Sequence, residues 1–337
     1  MKLVVPEYFD RFKCIADSCT DNCCIGWEIG IDSKTLEKYR KVEGELGCEL
    51  AEKIKEDEYG AQFILDGERC PFLDGCGLCR LITNLGEGYL SEICREHPRY
   101  YSVFSDVAFG GIGLSCEEAA SLILSEEEDH TYIEREAEGF EPSECDCEML
   151  EFLLEKKAVF LEILCNRELS IKTRMKYARD LAFETQSAID PFFEADGCEC
   201  ESVPSISEYF AEMEHLTPEL GELLARADSA ASAKKQKNAP ERITERYLEN
   251  IFVYFMDRYL TDAAHDGNLV GRILLAAIST AAIMHIFESE DDLTLKRAVE
   301  IAKCYSKEIE YSEENVERII ENEKLTDAVL RKMLFCN

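Results

Sequence analysis

Cysteine residues dominate the chemistry that this sequence could perform. The chain has 17 cysteines, and ten of them fall within the first 116 residues. Clustered thiolates repel one another unless a cation or a covalent bond holds them together, so this clustering favours a soft metal or a redox role. The ten are Cys14, Cys19, Cys23, Cys24, Cys48, Cys70, Cys76, Cys79, Cys94 and Cys116.

Four short motifs organise these cysteines. The first is C-x4-C-x3-C-C, which starts at Cys14; the second is C-P-F-L from Cys70, followed by C-x-x-C from Cys76. The third is C-R-E-H-P-R from Cys94, and the fourth is the Ser-Cys pair that ends at Cys116. A C-x-x-C spacing lets two sulfurs bind one metal from a single turn. Zinc takes four thiolates and iron–sulfur clusters are usually held by four cysteines, so the motifs leave both metals open.

Other residues near these motifs have plainer interpretations. A single buried cysteine usually acts as a small apolar side chain, and this interpretation is given to Cys48, Cys165, Cys304 and Cys336. The C-x-C pairs at Cys145/Cys147 and Cys198/Cys200 lie in acidic loops and are interpreted as incidental thiols. We interpret Cys76 as a loop residue beside a ligand, and His97 as an ordinary surface or core imidazole. Arg95 and Arg99 fit either donation to thiolates or common ion pairs.

The charge balance excludes several functional classes. Lys and Arg total 37 and Asp and Glu total 70, which gives a formal charge of −33. Residues 117–337 are the more acidic part, with 24 basic and 49 acidic side chains. Such a surface repels phosphate backbones and anionic lipid, so we expect neither a nucleic-acid partner nor a membrane-surface role. A hydrophobic content of 46% indicates a folded protein rather than an acidic disordered chain.

The sequence favours a cytoplasmic location. The first residues, M-K-L-V-V-P-E, lack the apolar segment and cleavage site of a signal peptide. In a reducing compartment, clustered cysteines more often bind metal than form disulfides, and an odd number of cysteines agrees with this. The longest apolar run, 269–287, contains Arg272 and precedes an acidic stretch, so we expect a core helix and no membrane span.

The predicted fold is mainly α-helical, with a loop-rich, metal-binding region at 1–125 that contains a few short strands. An acidic, all-helical region follows at 126–337, with a possible linker at 228–240. In the front, the pattern predicts a strand over 25–31, an Asp32-capped helix to about Asp57, and a turn-rich loop at 67–79. Helices over 80–85 and 91–97 precede a hairpin over 100–114, with turns at Ser105-Asp106 and Gly110-Gly111. The rear helices are predicted at 145–166, 170–188, 205–227, 241–263, 268–287, 293–309, 313–322 and 325–335.

Several familiar catalytic motifs are missing from the sequence. It has no glycine-rich loop after a strand, no P-loop and no G-x-S-x-G. The usual three-cysteine loop of radical adenosylmethionine enzymes is also missing, because Gly26 stands where the third cysteine would be needed.

The motifs that are present resemble those of a known family. The run Y-x3-F-x-C-x4-C-x3-C-C-x-G-W-x-I-x-I-D, from Tyr8 to Asp32, is similar to the opening of the flagellin lysine N-methylases. C-P-F-L from Cys70, L-S from Leu90, P-R from Pro98 and L-S-C-x-E-A-A from Leu114 follow in the same order. The resemblance covers residues 8–124, and the helical rear agrees with it but adds few motifs.

The resemblance implies methyl transfer from S-adenosylmethionine to lysine ε-nitrogens of flagellin, in the bacterial cytoplasm. It also implies an iron–sulfur cluster, expected as [4Fe–4S] with zinc as the alternative. One such cluster needs four cysteines, so the implied ligands form a larger pool. Carried over by position, that pool is Cys14, Cys19, Cys23, Cys24, Cys70, Cys79, Cys94 and Cys116.

Two questions stay open from the sequence. Lysine methylation by direct displacement needs an aligned, neutral amine and no iron, so the cysteine region would then be structural. A reducing cluster with radical chemistry is the other route, and the missing loop disfavours it. A non-enzymatic zinc- or iron-chelating or metal-delivery protein is the alternative function. The sequence identifies neither catalytic residues nor the adenosylmethionine pocket.

Overall fold

The computed structural model describes residues 1–58, 60–193, 203–233 and 241–335, with the backbone alone at 241–243. Cys198, Cys200 and Cys336 lie outside the described residues. The fold is mainly helical with a few short strands, as predicted. The strands are β1 (Lys2–Pro6), β2 (Gly30–Ile31), β3 (Ile54–Asp57), β4 (Gly60–Phe63), β5 (Arg99–Val103), β6 (Val107–Ile112) and β7 (Tyr132–Glu136). The helices are α1 (Ser33–Tyr39), α2 (Gly44–Lys53), α3 (Arg80–Leu85), α4 (Glu92–Glu96), α5 (Glu117–Leu124), α6 (Cys147–Leu164), α7 (Ile171–Ile189), α8 (Ile206–Ala211), α9 (Glu219–Ser232), α10 (Glu241–Tyr259), α11 (Ala263–Asp266), α12 (Leu269–Ser289), α13 (Leu295–Glu310), α14 (Glu313–Glu321) and α15 (Glu323–Phe335).

The chain divides into two compact units. The cysteine-rich unit comprises Lys13–Tyr100 and Cys116–Glu118. The helical unit comprises Met1–Phe12, Tyr101–Ser115 and Ala119–Asn337. The predicted division into 1–125 and 126–337 stays a prediction. Within the predicted linker, residues 228–232 continue helix α9 instead, and residues 234–240 lie outside the described residues.

A four-stranded sheet has the order β5-β6-β1-β7, and its strands β1, β6 and β7 belong to the helical unit. Strand β1 runs parallel to β6, with Lys2 opposite Val107, and antiparallel to β7, with Lys2 opposite Glu136. Its alternation of exposed Lys2 with buried Leu3 and Val5 matches the two-residue period of a strand that is buried on one face.

Helix α12 forms the core of the helical unit. Helices α7, α9, α10, α13, α14 and α15 all pack against it. Most of its residues are apolar and nearly all are buried, as expected for a helix that packs on every side, and Glu288 near its end is exposed. By length and composition α12 could cross a membrane, but nearly all of it is buried inside the protein, in keeping with the predicted core helix.

The cysteine-rich unit is built on a small antiparallel sheet in the order β2-β4-β3. Asp32 caps α1, since its carboxylate accepts a hydrogen bond from the backbone N–H of Thr35 at 2.9 Å. The same carboxylate accepts from the N–H of Glu92 at 2.9 Å, which fixes the start of α4. One aspartate therefore positions two helices.

Two predicted helices are wrong in their extent. The helix expected from Asp32 to Asp57 ends at Tyr39, resumes at Gly44 with φ of +78°, and gives way to strand β3. The helix expected over 205–227 breaks after Ala211. In that break the buried carboxylate of Glu308 accepts hydrogen bonds from the N–H groups of Leu216 and Thr217, at 2.8 and 2.9 Å.

Two smaller predictions also need correction. Of the strand expected over 25–31, only Gly30–Ile31 is a strand, and Ile25 makes an isolated bridge with Arg69. The turn at Ser105-Asp106 is confirmed, but Gly110-Gly111 lies inside β6. A Cβ on Gly110 would lie 2.9 Å from the ring of Tyr101, so the glycine makes room for this ring.

Candidate metal centre

Five cysteines of the cysteine-rich unit influence one another electrostatically. They are Cys23, Cys24, Cys70, Cys79 and Cys94, called here the inner thiol cluster. A hydrogen bond with Cys23 and burial raise the pKa of Cys24, and the nearby sulfurs of Cys70 and Cys94 raise it further. Burial raises the pKa of Cys94 to about 11, with contributions from Cys70, Cys79 and Cys23. Neighbouring thiols that raise one another's pKa are hard to ionise, because the thiolates would repel one another. A bound cation compensates this negative charge.

Backbone hydrogen bonds hold the first and second motifs together. The N–H of Cys70 donates to the carbonyl of Cys24 at 2.8 Å, and the N–H of Gly26 donates to the carbonyl of Glu68 at 2.9 Å. Ile25 and Arg69 form an isolated antiparallel bridge between these two contacts. This short ladder brings Cys23 and Cys24 beside Cys70.

A tight turn places Cys79. The Asp74 carboxylate accepts hydrogen bonds from the N–H groups of Cys76 and Leu78, at 2.8 and 2.9 Å. Gly77 adopts φ of +80°, a conformation that glycine takes without strain. The turn brings Cys79 back to pair with Leu73, immediately before helix α3 begins. Cys76 is exposed, in agreement with its interpretation as a loop residue.

The inner thiol cluster packs against a buried group of aromatic side chains. Cys70 is 5% exposed and belongs to the same buried group as Tyr39, Phe63 and Phe72. The Phe63 and Phe72 rings lie 5.1 Å apart, and the Tyr39 hydroxyl donates to the carbonyl of Tyr89 at 2.7 Å. Cys24, Cys79 and Cys94 pack against this group from its edge. Packed side chains therefore hold four of the five cysteines in place, and Cys23 is exposed.

Some contacts favour the ionised thiolate. Burial raises the pKa of Cys70 to about 11, but hydrogen bonds from the N–H groups of Phe72 and Leu73 lower it. The nearby Ser91 hydroxyl also lowers the pKa of Cys94. Hydrogen bonds to ligand sulfurs are a usual feature of iron–sulfur and zinc sites. The thiol donor set and its surroundings thus fit a thiolate-bound metal centre.

The other three predicted ligands lie elsewhere in the same unit. Cys19 donates to the Glu117 carboxylate at 3.7 Å, and the N–H and hydroxyl of Thr20 donate to the same carboxylate at 2.8 and 2.5 Å. These bonds fix the Cys19 segment next to the residue that follows Cys116. Cys14 is exposed, and its sulfur accepts a hydrogen bond from the N–H of Ala16 at 3.4 Å. The choice of ligands among the eight cysteines stays a prediction.

The remaining cysteines differ in their surroundings. Cys304 is buried, as predicted, and burial raises its pKa to about 12. Cys48 is exposed on α2, so its interpretation as a buried apolar side chain is wrong. The sulfurs of Cys145 and Cys147 lie 3.9 Å apart at the start of α6. Near the third motif, Arg95 pairs with Glu96 at 3.3 Å. Of the two interpretations given to Arg95, this contact is the common ion pair.

A second group of ligand-type side chains was not predicted from the sequence. In the helical unit, atoms of His130, Cys165 and Glu249 lie within 4.8 Å of one another. Glu249 is fully buried and pairs with Arg167, Arg174 and Arg246. Three guanidinium groups around one carboxylate oppose a further cation, so this group is better suited to an internal ion-pair network. Its members come from distant segments without a spacing motif, so no sequence signal marked it.

Comparison with known proteins supports the resemblance seen in the motifs. Residues 193–330 match the family model of the FliB lysine N-methylase C-terminal domain. This chain is a relative of the FliB lysine N-methylases. The match lies in the helical rear, where the motif analysis had found little, and it supports the resemblance that was suggested by the cysteine-rich front.

Two curated relatives agree with this result. The chain is 30% identical to the lysine-N-methylase of Salmonella typhimurium over 128 residues, which is 36% of this chain and 32% of that protein. It is 29% identical to the flagellar biosynthetic protein FliU of Salmonella muenchen over 128 residues, which is 76% of that protein. The match therefore spans about a third of the length of the first relative. No solved structure matches the chain.

Proposed function

We propose that this protein methylates lysine side chains of flagellin in the cytoplasm, with S-adenosylmethionine as the methyl donor. The observation that carries the proposal is the match of residues 193–330 to a lysine N-methylase domain. The name of the FliU relative adds a flagellar context. The formal charge of −33 agrees with a lysine-bearing protein substrate, because an acidic surface attracts cationic segments.

We further propose that the cysteine-rich unit holds an iron–sulfur cluster, with four ligands drawn from the eight predicted cysteines. The resemblance of its cysteine motifs to those of the flagellin lysine N-methylases supports a centre of several irons, of which [4Fe–4S] is the proposed form, with zinc as the alternative. When bound, the cluster would supply the positive charge that lets these buried thiols ionise, and it would stabilise the unit.

The proposed chemistry is a displacement. The lone pair of a neutral lysine ε-nitrogen attacks the methyl carbon of the sulfonium, and a C–N bond forms while the C–S bond breaks. The electron pair of the broken bond stays on sulfur, so S-adenosylhomocysteine leaves as a neutral thioether. One proton must leave the lysine ammonium before the attack, and a second leaves the methylated amine if the reaction repeats. The protein's task is therefore to align the two groups and favour the uncharged amine.

Two measurements on the full chain test the proposal. Anaerobically purified protein is analysed for iron, acid-labile sulfide and zinc. The same preparation is then incubated with purified flagellin and isotope-labelled S-adenosylmethionine, and the flagellin is digested for mass spectrometry. We expect iron and sulfide in similar amounts, and label on flagellin lysines.

Each negative result overturns a different part of the proposal. Zinc without sulfide would overturn the iron–sulfur assignment but not the methylation. Unlabelled flagellin in the presence of a fully loaded cluster would overturn the methylation of flagellin. It would leave metal chelation or delivery, the alternative function, as the role of the cysteine-rich unit.

A further inference from the structure

Ser91 occupies the N-cap position of helix α4 but does not cap the helix. A serine at this position usually accepts a hydrogen bond from a backbone N–H of the first turn. The side chain of Ser91 makes no such bond. The carboxylate of Asp32 takes this role instead, because it accepts a hydrogen bond from the N–H of Glu92 at 2.9 Å. The hydroxyl of Ser91 is therefore left for another partner.

The same hydroxyl is buried and unpaired. Ser91 is 1% exposed, and its Oγ makes no hydrogen bond to any residue that the structure describes. A buried polar atom without a partner costs free energy, which is why most buried hydroxyls in proteins are paired. The cost disappears when a neighbouring group becomes a good hydrogen-bond acceptor.

Cys94 is the neighbour that can become this acceptor. It follows Ser91 by three residues, the spacing at which the side chain of an N-cap residue meets the first turn of its helix. Burial raises the pKa of Cys94, and the nearby Ser91 hydroxyl lowers it, so the hydroxyl lies beside this sulfur and favours its ionised form. A neutral thiol is a weak acceptor, whereas an ionised acceptor forms shorter and stronger hydrogen bonds. The Ser91 hydroxyl therefore has a strong partner once Cys94 is a thiolate.

Contacts on both sides of Ser91 hold its backbone in place. Before it, the carbonyl of Tyr89 accepts a hydrogen bond from the hydroxyl of Tyr39 at 2.7 Å. After it, the bond from the N–H of Glu92 to Asp32 fixes the start of α4, and the carbonyl of Ser91 accepts from the N–H of Arg95 at 2.9 Å. A donor that is held in position beforehand loses little freedom when it forms its hydrogen bond.

We infer that Ser91 is a positioning residue of the metal centre and that its hydroxyl donates a hydrogen bond to the Cys94 thiolate when metal is bound, an inference that rests on the metal centre of the proposed function. The bond holds the ligand sulfur in one orientation and withdraws negative charge from it. Loss of such a partner typically lowers metal affinity by about 10- to 100-fold. In an iron–sulfur cluster it also lowers the reduction potential, because the reduced cluster carries more negative charge on its sulfurs.

A chelator challenge and a redox titration of the full, anaerobically loaded chain provide the test. Ser91→Ala removes the hydroxyl, and Ser91→Thr keeps it. We expect Ser91→Ala to release its metal at an about tenfold lower chelator concentration than the wild type and to have a more negative reduction potential. Ser91→Thr should restore both values towards those of the wild type. The control is Ser279→Ala, because Ser279 is a buried serine of the helical unit whose hydroxyl accepts from Tyr305 at 2.9 Å.

Unchanged chelator resistance and reduction potential in Ser91→Ala would overturn the inference. Equal effects of Ser91→Ala and Ser279→Ala would also overturn it, since they would reflect general stability. If the centre holds zinc, the chelator challenge alone gives the answer, with the same expectation. A wild-type chain that takes up neither iron nor zinc would overturn the inference together with the metal centre. A Ser91-dependent centre in a protein that leaves flagellin unmethylated would instead support the inference and overturn only the proposed methylation.

Discussion

The backbone N–H of Cys70 donates to the carbonyl of Cys24 at 2.8 Å. This bond lies between the first two cysteine motifs and is independent of either side chain. The chain therefore brings the two motifs together by its backbone, and the sulfurs of the inner thiol cluster become neighbours as a consequence. A metal that binds there meets ligands that are already close, so less chain entropy is lost on binding.

Replacement of a cluster thiol should release the metal. We expect Cys70→Ser and Cys94→Ser to lose most of the bound iron and to lower the thermal stability of the protein, because the metal contributes directly to folding. Cys48→Ser is the matched control, since Cys48 is exposed and lies outside the inner thiol cluster. Metal analysis and thermal melts measure both effects. Full iron content in both cluster variants would contradict the assignment of these ligands.

The buried arginine of the helical unit should be important for stability. Arg174 is 1% exposed and pairs with Glu249 and Glu245, each at 2.7 Å. We expect Arg174→Met to lower the free energy of unfolding by about 3 kcal/mol, since it leaves buried carboxylates with fewer partners. Lys172→Met removes an exposed ion pair with Glu288 and should cost less than about 1 kcal/mol. Urea unfolding distinguishes the two, and equal losses would argue against the buried network.

Acid should weaken the same network. Burial by itself raises the pKa of Glu249, but His130 and the surrounding arginines outweigh it and lower the pKa from 4.5 to about 2. A folded-state pKa below the unfolded one gives stability that is complete above pH 4.5 and is lost as the pH falls towards 2. We therefore expect Glu249→Gln to flatten the decline in unfolding free energy between pH 5 and pH 3. Glu288→Gln is the exposed control, and identical slopes in all three proteins would refute this assignment.

Two helical glycines should respond in opposite ways to alanine. A Cβ on Gly271 of α12 would lie 2.5 Å from the carbonyl oxygen of Ile320, so Gly271→Ala should cost about 1–3 kcal/mol by overpacking. A Cβ on Gly221 of α9 would meet nothing within 4 Å, so Gly221→Ala should add about 0.5–1 kcal/mol through helix propensity. Thermal melts of both variants provide the measurement. A stabilised Gly271→Ala protein would show that α12 can move away from α14.

Local signals in the sequence predicted local structure well. Ser170, Asp262, Thr294 and Ser312 stand at plausible helix starts in the sequence. Three of them, Ser170, Thr294 and Ser312, cap a helix, because each side chain accepts a hydrogen bond from the backbone three residues later. Asp262 makes no such side-chain cap. The turn-rich loop that contains Cys79 could also be predicted from the sequence, because aspartate and glycine favour such a turn without help from distant residues.

The failures depend on contacts that are distant in sequence. The predicted helix over 205–227 is broken where the carboxylate of Glu308 binds two backbone N–H groups. Nothing in the residues around Leu216 indicates that partner. The group of His130, Cys165 and Glu249 was missed for the same reason, because these residues meet only in the folded chain.

Strand β1 has a consequence for how the protein is made. Its partners β6 and β7 begin at Val107 and Tyr132, so β1 cannot complete its sheet until both have left the ribosome. The segment 13–100, with most of the predicted metal ligands, emerges before either strand. The proposed metal could therefore bind to a nascent chain in which strand β1 has not yet paired with β6 and β7.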